Sequence, residues 1–317
     1  MSAVAKTEVN LVDTENVSKR AWGLTPQSLI LYLMIFPAVF AYLIFTYVPM
    51  PGMLVAFTDF KASTGYKGWV GLENIKFLFT YPRFALALRN NLLYAFLGYV
   101  FEFPAPIILA LLFNELQFPI FKKTVQTVMT IPHFITWVAV GGTFKMLLDP
   151  QYGWVNAVIK SLGGEPIYFL GEPEIFPFMY IILALWKGIG WGSILYLATM
   201  ASIDATLYEA AAIDGAGRWR QTWHVTLPAL KGIILLKLIL SFSGILNLFD
   251  SMFILSNNSN RDMSVVLDTL VYERSIRQGH FASGSAMGVF KNLFGVTMTV
   301  MCNEIAKRLS DDGRGIF

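Results

Sequence analysis

Apolar residues are gathered into long runs along this chain, and the segments between the runs carry charge, glycine and proline. Each run is about 20 residues long, the length of a helix that crosses roughly 30 Å of hydrocarbon. Six runs occur, at Leu29–Val48, Leu92–Phe113, Val125–Leu148, Phe178–Met200, Ile233–Leu255 and Ala286–Ile305. We predict six helices, because lipid offers the backbone no partners and the runs are too uniformly apolar for barrel strands.

Prolines lie inside several of the predicted spans, at Pro37, Pro104, Pro106 and Pro132. Each lacks a backbone donor and is expected to kink a helix or to start one. Such prolines suit a bundle packed around a cavity, and prolines without any role in a pathway explain them equally well.

Composition agrees with a membrane protein. The 317 residues are 55% hydrophobic and 14% charged, and the mean hydropathy is +0.55, well above that of an average soluble domain. The formal charge of +3 comes from scattered lysines and arginines, which gives no basis for nucleic-acid binding. The single cysteine, Cys302, can build neither a disulfide framework nor a cysteine metal site within the chain.

The polar segments at the two ends define the predicted domain organisation. Residues 1–28 are interpreted as a retained cytosolic tail, since the run after them lacks a small-residue cleavage site. A transmembrane domain then covers 29–306, and a second cytosolic tail covers 307–317. Six spans place both termini on one side, and the pairs Lys122/Lys123 and Lys307/Arg308 favour the cytosol for that side.

A polar segment between the fourth and fifth runs reads EAAAIDGAGRWRQTWHVTLPAL, from Glu209 to Leu230. A first helix is predicted to stop at Gly215, because glycine takes the left-handed conformation that closes a helix. A second short helix fits Arg218–Thr226, and Pro228 is expected to end it or to open the next span. The alanines at 210–212 leave one face with little side-chain bulk, so another surface can approach the backbone closely.

This segment resembles the EAA loop of membrane permease subunits in binding-protein-dependent ABC importers, in which E-A-A is followed by a glycine and then by I-x-L-P. The matching positions are Glu209, Ala210, Ala211, Gly215, Val225, Leu227 and Pro228. Val225 replaces the usual isoleucine, and Gly232 stands where many sugar permeases have another proline. The likeness extends through NNLLYAFLGYV, ALLFNEL and TIPHFITWVAVGG. Within the family, the chain is most similar to permeases for oligo- and polysaccharides, in particular those of alginate or related oligouronide importers.

The resemblance implies an all-α integral membrane fold, with the six transmembrane helices of a type I ABC importer permease and a cytosolic coupling helix-turn-helix at residues 205–230. In this family the loop docks into a groove of a separate cytosolic ATPase. The resemblance implies an ion pair of Glu209 with the ATPase, close contact at Ala210 and Ala211, and a turn fixed by Asp214 with Gly215. Leu227 and Pro228 complete the coupling motif.

The same resemblance implies the partners and the location. The chain would lie in the bacterial inner membrane as half of a heterodimer with a second, homologous permease. Two copies of the ATPase would bind ATP and magnesium, and this chain would bind no cofactor. An extracellular or periplasmic solute-binding protein would deliver the carbohydrate.

The residues themselves give no sign of an enzyme. No G-x-x-x-x-G-K-[ST] motif occurs, and GIGWG at Gly188–Gly192 is better explained by close helix packing. His133, His224 and His280 fall in three separate regions without the spacing of a metal site. We therefore expect no catalytic residue and no metal in this chain.

Polar and charged residues inside spans usually face a bundle interior or a wet cavity. The candidates for a substrate pathway are Asn247, Asp250, Lys187 and Asn292, with Glu102, Lys145 and Lys291 as further polar residues and Trp186, Trp191 and Tyr196 as rings on which sugars could stack. Lysines would suit a carboxylated sugar. Lys145 and Lys291 could instead extend to the membrane interface, and Glu102 could bond to a neighbouring helix.

Two other classes of protein fit parts of the sequence. A six-helix ion-coupled secondary transporter would need no ATPase, and the polar segment would then be an ordinary cytosolic hairpin. A membrane enzyme fits less well, because the sequence offers no compact acid-base or metal cluster.

Overall fold

The computed structural model describes residues 26–309, with side chains from 29 to 308, so most of both predicted tails lies outside the described residues. Within this part of the chain, five helices are long and apolar enough to cross a membrane, and a bent pair of helices makes a sixth span. In chain order the six spans are Leu29–Phe57, Pro82–Glu115, Pro119–Phe134 with Trp137–Leu147, Phe176–Ala201, Arg218–Ser243 and Phe281–Arg308. The predicted helical membrane fold is confirmed.

The spans are built from α-helices, π-helical turns and 3₁₀ segments. Their α-helices are Pro26–Tyr42, Pro82–Leu97, Pro104–Glu115, Pro119–Thr130, Trp137–Leu147, Phe176–Ala201, Arg218–Gln221, Leu227–Ser243 and Phe281–Leu309. Shorter α-helices between the spans are Glu73–Thr80, Trp154–Ser161, Ala205–Ile213, Phe249–Leu255, Arg261–Ser264 and Leu267–Tyr272. The π-helical turns are Leu43–Tyr47, Gly98–Glu102, Thr222–Thr226 and Glu273–Arg277, and the 3₁₀ segments are Met50–Phe57 and Ile131–Phe134.

The loop after the first span contains a small antiparallel hairpin that the sequence did not predict. Strand β1 (Thr58–Lys61) pairs with β2 (Gly65–Trp69), with Phe60 opposite Tyr66. Gly65 has a φ of 70°, a left-handed conformation that glycine adopts without a steric penalty. The hairpin makes this loop an ordered cap between spans.

The chain divides into two compact units at Met53/Leu54. The described part of the N-terminal unit is mainly the helix Pro26–Tyr42 and the π-helical turn after it. Its large apolar side chains are exposed, for example Leu33 at 72% and Phe45 at 80%, as expected of a helix that faces lipid. The C-terminal unit holds the hairpin and the other five spans.

Several π-helical turns end two residues before a proline: Leu43–Tyr47 before Pro49, Gly98–Glu102 before Pro104 and Thr222–Thr226 before Pro228. In a regular helix the proline ring collides with the carbonyl group four residues earlier. A wider turn avoids that collision, and the N–H of Phe103 donates to the carbonyl of Gly98, five residues back, at 2.9 Å. The second and fifth spans therefore continue through Pro104 and Pro228.

The third span is not the single helix predicted over Val125–Leu148. It bends by 101° between Phe134 and Trp137. Pro132 lies in the 3₁₀ segment before the bend, and the hydroxyl of Thr136 then accepts from the N–H of Ala139 at 3.3 Å and caps the next helix. A proline followed by a capping threonine is the local cause of the bend.

Glycines of the fourth span allow close helix contact, as the sequence predicted for GIGWG. A Cβ atom at Gly190 would lie 2.0 Å from the carbonyl oxygen of Met129, so only glycine fits against the third span there. A Cβ at Gly192 would lie 2.9 Å from the ring of Pro106 in the second span. Residues two positions apart lie on nearly opposite sides of a helix. The fourth span therefore packs against the third span at Gly190 and against the second span at Gly192.

Two buried asparagines on the second span hold the segment that precedes the sixth span. Asn90 donates to the carbonyls of Asp262 and Val265 at 2.7 and 2.8 Å. Asn91 accepts from the N–H of Leu267 at 2.8 Å and donates to the carbonyl of Leu246 at 3.3 Å. Both asparagines are fully buried, so these bonds replace water for irregular backbone inside the protein.

We predict that Asn91→Leu destabilises the fold by about 1–3 kcal/mol for each backbone group it leaves without a partner. The midpoint of thermal unfolding of the purified protein in detergent measures this loss. Leu92→Ala, at an exposed position on the same helix, is the control and should change the midpoint little. An unchanged midpoint for Asn91→Leu would show that these two hydrogen bonds do not support the fold.

Candidate functional site

The polar segment between the fourth and fifth spans folds as a helix-turn-helix, which we call the coupling loop (residues 205–230). Its first helix, Ala205–Ile213, begins where the carboxylate of Asp204 accepts from the N–H of Thr206 at 2.9 Å. This hydrogen bond from Thr206 holds the pKa of Asp204 below its usual value. The sequence thus determines the start of this helix through one side chain.

Gly215 closes the first helix in the left-handed conformation that the sequence predicted, with φ 76°. The N–H of Gly215 donates to the carbonyl of Ala212 at 3.0 Å, and that of Ala216 donates to Ala211 at 2.9 Å. These two bonds form a Schellman motif. A side chain with a Cβ atom would strain this backbone, so the angle between the two helices depends on glycine at 215.

The second half of the coupling loop is continuous with the fifth span. The α-helix Arg218–Gln221, the π-helical turn Thr222–Thr226 and the α-helix Leu227–Ser243 follow one another without a break. Pro228 does not end the short helix. It lies in the first turn of the α-helix Leu227–Ser243, which continues directly from the turn before it. Because one helix includes both segments, a displacement of the coupling loop displaces the fifth span.

The coupling loop presents exposed apolar side chains. Ile213 is 87% exposed, Trp219 is 72% exposed and Trp223 is 54% exposed, and the two tryptophan rings meet edge to face at 5.9 Å. Glu209 and Ala210 are exposed on the first helix. Large exposed apolar residues beside polar ones are typical of a protein contact surface. The two tryptophans are not among the predicted site residues, although their i, i+4 spacing in WRQTW places them on one helix face.

Side chains also tie the coupling loop to the bundle. Arg218 forms an ion pair with Glu115 at the end of the second span, at 3.2 Å. The hydroxyls of Tyr208 and Thr226 lie 3.0 Å apart and join the two helices, and Gln221 donates to the carbonyl of Ala216 at 3.0 Å. The loop is therefore attached to the second span as well as to the fifth.

The fifth span ends at Ser243, well before the predicted Leu255, and an irregular segment from 244 to 248 leads to the short helix Phe249–Leu255. Asn247, predicted to lie on the span, is in this break, and Asp250 is in the first turn of the short helix. Gly244 caps the long helix. We call residues 244–248 the helix break.

Side chains of the second span and of the short helix Leu267–Tyr272 bond to the backbone of the helix break. Asp268 accepts from the N–H of Leu248 at 3.0 Å and pairs through its other carboxylate oxygen with Lys291 of the sixth span. Asn91 of the second span donates to Leu246, as described above. Irregular backbone at membrane depth is tolerated where protein or a cavity surrounds it.

Cavities adjoin the helix break on several sides. A cavity of about 370 Å³ includes Asn247, Asp250, Asp268 and Lys291 in its lining, and one of about 500 Å³ includes Asn247, Lys291 and Asn292. The predicted pathway residues Asn247, Asp250 and Asn292 are therefore close together. Ionisable and amide groups gathered at such a break provide hydrogen-bonding partners for a polar ligand.

A third cavity, of about 410 Å³, lies between the second, fourth and fifth spans. Its lining includes Glu102, Tyr196, Lys237 and Ser241, together with Gly244 of the helix break. Tyr196 is thus placed beside a cavity, as predicted for a pathway residue. Lys237 is not among the predicted pathway residues, although a lysine inside an apolar run is a signal of the same kind as the predicted ones.

The other predicted residues are engaged elsewhere. Lys187 donates to the carbonyls of His133 and Pro132 at the bend of the third span, at 2.5 and 3.5 Å. Trp186 meets the ring of Phe144 edge to face at 5.4 Å. Lys145 donates to the carbonyl of Ile254 at 2.6 Å. Lys187 and Trp186 do not line the three cavities around the helix break.

Histidines in the described part of the chain do not come together. His133 stacks on Trp191 with ring centroids 4.7 Å apart, and the ring of His224 contacts the carbonyl of Arg220. Among the described residues, no group of three or more His, Cys, Asp or Glu side chains could hold a metal ion.

Comparison with known proteins gives the family. Residues 102–309 match the family described as "Binding-protein-dependent transport system inner membrane component". The polygalacturonan/rhamnogalacturonan transport system permease protein YteP of Bacillus subtilis (strain 168) is 44% identical over 286 residues, which cover 89% of each chain. The chain belongs to this permease family, and it is a permease of a sugar ABC importer.

Solved structures agree with this assignment. A bacterial ABC transporter involved in the import of the acidic polysaccharide alginate has a chain with a TM-score of 0.83 and 32% identity, covering 90% of this chain and 97% of that one. A bacterial alginate ABC transporter in complex with an alginate pentasaccharide-bound periplasmic protein has a chain with a TM-score of 0.83 and 32% identity, covering 92% of this chain and 97% of that one. The fold is therefore that of a type I ABC importer permease, and a multi-pass membrane location follows.

We predict that Asp268→Asn lowers thermal stability by about 3–5 kcal/mol, because it leaves Lys291 without its ion-pair partner. The unfolding midpoint in detergent measures the effect. The double variant Asp268→Asn/Lys291→Met removes both charges and should recover part of the loss. Equal losses in the single and double variants would mean that the ion pair is not what supports the helix break.

Proposed function

We propose that this chain is one of two permease subunits in an ATP-driven importer for oligosaccharides that carry uronate carboxylates. The observation that carries the proposal is the continuous helix from Arg218 to Ser243, which joins the exposed coupling loop to the helix break between the three cavities. A partner that moves the loop would change the cavities directly. Family membership favours an importer over an ion-coupled secondary transporter.

The coupling loop is proposed to dock on a cytosolic ATPase subunit. Glu209 would pair with a basic residue of that subunit, Ala210 and Ala211 would allow close approach, and Trp219 with Trp223 would add apolar contact area. Asp214 and Gly215 would fix the angle of the docking helix, while Leu227 and Pro228 would connect it to the fifth span. ATP and magnesium would be bound by two copies of the ATPase, and both termini of this chain would lie in the cytosol.

The partner across the membrane is proposed to be a second, homologous permease in a heterodimer. Six spans form half of the usual importer channel. The exposed apolar faces of the described spans are surfaces that the second permease would contact. A periplasmic or extracellular binding protein would deliver the oligosaccharide to the face opposite the coupling loop. The complex of the structurally similar alginate transporter with its periplasmic protein supports this arrangement.

The substrate class is proposed from charge and from relatives. Lys237 lines the cavity beside the helix break, and Lys291 lines the other two cavities. The relatives named above act on polygalacturonan or rhamnogalacturonan in one case and on acidic alginate in the other. A carboxylated sugar matches both facts, and Asn247, Asp250, Asn292 and Tyr196 would supply hydrogen bonds and a ring face for its hydroxyl groups and rings.

We predict that Glu209→Ala and Gly215→Val uncouple ATP hydrolysis from sugar uptake and leave the membrane fold intact. Losing one partner of an interface ion pair costs about 2–5 kcal/mol, and a Cβ atom at 215 strains the turn. ATP hydrolysis and uptake are measured together in vesicles that contain the whole importer. Glu165→Ala, an exposed carboxylate outside the coupling loop, is the control. Wild-type uptake in both loop variants would refute the coupling role.

We predict that Lys237→Gln lowers uptake of a trigalacturonate by about tenfold, the effect of one hydrogen bond to a charged group. Uptake of its carboxyl-reduced, neutral counterpart should change much less. Uptake of both sugars is also measured for Lys187→Gln. A selective loss for the acidic sugar keeps Lys187 in the substrate pathway, whereas equal losses for both sugars assign it to support of the bend at His133. Equal losses for Lys237→Gln would contradict the uronate proposal.

A further inference from the structure

A polar pocket of about 330 Å³ lies at the end of the C-terminal unit opposite the coupling loop. Arg83 in its wall is at the start of the second span, and Glu115 at the other end of that span pairs with Arg218 of the coupling loop. With a rise of 1.5 Å per residue, the two ends are about 50 Å apart along the helix. The pocket therefore opens on the face where an importer would receive its substrate.

Three arginines and one carboxylate dominate the pocket. Arg83 donates to Oε1 of Glu273 at 2.6 Å, and Arg261 donates to the same oxygen at 3.1 Å. Arg277 lines the pocket and is exposed. The hydrogen bond from Arg83, followed by the nearby charges of Arg83, Arg261 and Arg277, keeps the pKa of Glu273 below its usual value. With Glu273 ionised, the four groups carry a net charge of +2.

The bonds to Glu273 do not use all the N–H groups of the arginines, so the pocket can bind a second anion. Each of the two bonds uses one guanidinium nitrogen, whereas an arginine presents five N–H donors in a planar fork that fits a carboxylate. Arg261 is 58% exposed in its side chain and Arg277 is exposed, so both can turn toward a ligand. A carboxylate is the anion that this set of donors fits best.

An aromatic wall and amide groups complete the pocket. The rings of Phe253 and Tyr272 meet edge to face at 5.3 Å, and both line it. Asn257 also lines it and is fixed, because its amide donates to the carbonyl of Leu170 at 2.8 Å and its side-chain oxygen accepts from the N–H of Asn260 at 2.9 Å. Asn258 beside it is exposed and lines the pocket. An aromatic face, hydrogen-bonding amides and arginines are the groups that recognise a carboxylated sugar.

The pocket adjoins the helix-break cavities through shared elements. Phe253 lines the pocket, and Phe249, stacked on it at 5.1 Å one turn earlier, lines the cavity that includes Asn247 and Asp250. Similarly, Thr269 lines the pocket and Asp268 lines that cavity. A ligand that leaves the pocket toward the bundle thus next meets polar groups of the helix break.

We propose that this arginine pocket is a receiving site that binds one uronate unit of the oligosaccharide before it reaches the helix break. Arg261 and Arg277 bind the carboxylate, and Phe253 with Tyr272 contacts the sugar ring. The inference rests on the proposed function in taking the substrate to be carboxylated and the coupling loop to face the cytosol.

The test is calorimetric titration of trigalacturonate into the complete permease and ATPase assembly in nanodiscs, with no binding protein present. Arg261→Gln and Arg277→Gln should each weaken binding about tenfold, as expected for one hydrogen bond to a charged group. The carboxyl-reduced trisaccharide should bind weakly and be insensitive to both changes. Lys160→Gln, which removes an exposed cation outside the pocket, is the matched control and should bind like wild type. Arg83 is not substituted, because its loss would remove a hydrogen-bond donor of Glu273.

Two outcomes overturn the receiving site. One is unchanged trigalacturonate affinity in both arginine variants. If these variants nevertheless lose uptake, the pocket contacts the binding protein instead of the sugar. The other is an equal loss for the acidic and the neutral trisaccharide, which indicates a structural role. Uptake by the wild-type importer is measured separately. If the wild-type importer takes up uronates but the arginine variants bind them normally, only the receiving site is refuted. If the wild-type importer shows no preference for uronates, the proposed function is refuted.

Discussion

A peptide group inside a bilayer finds no water, so every N–H and C=O at that depth must be paired within the protein. The fifth span meets this requirement along its helix and then departs from it at residues 244–248. There the carboxylate of Asp268 accepts from the N–H of Leu248, and the side-chain amide of Asn91 donates to the carbonyl of Leu246. The helix break exists because the second span and the segment before the sixth span supply these partners, and the cavities form around it.

The helix break and the coupling loop are opposite ends of one rigid element. From Arg218 to Ser243 the helix is uninterrupted, about 39 Å at 1.5 Å per residue. The π-helical turn at Thr222–Thr226 lets this helix pass Pro228 without breaking. Gly215, in turn, fixes the preceding helix at a set angle. Under the proposed function, a push on that helix would be carried to the irregular backbone that follows the fifth span and has few hydrogen bonds of its own.

The cations of the bundle differ in whether they already bond to neighbouring protein groups or line a cavity. Lys145 donates to the carbonyl of Ile254 in the short helix Phe249–Leu255, and Lys187 donates to a carbonyl at the bend of the third span. Lys291 pairs with Asp268 beside the helix break. Lys237 instead lines, together with Glu102, the cavity between the second, fourth and fifth spans. On the opposite face, three arginines share one carboxylate, Glu273. The excess of positive charge at the three arginines is the physical basis for the proposed acidic substrate.

The sequence by itself determined the features that depend on neighbouring residues: the apolar runs that become spans, the left-handed Gly215, and the packing glycines of GIGWG. The pattern that resembles the EAA loop is also local, and its coupling role stays a prediction. The sequence could not place the bend at Thr136, the end of the fifth span at Ser243, or the pairing of Lys291 with Asp268, because apolar composition continues through both breaks. Those features depend on side chains such as Asn91 and Asp268, which only the tertiary structure brings to the backbone they satisfy.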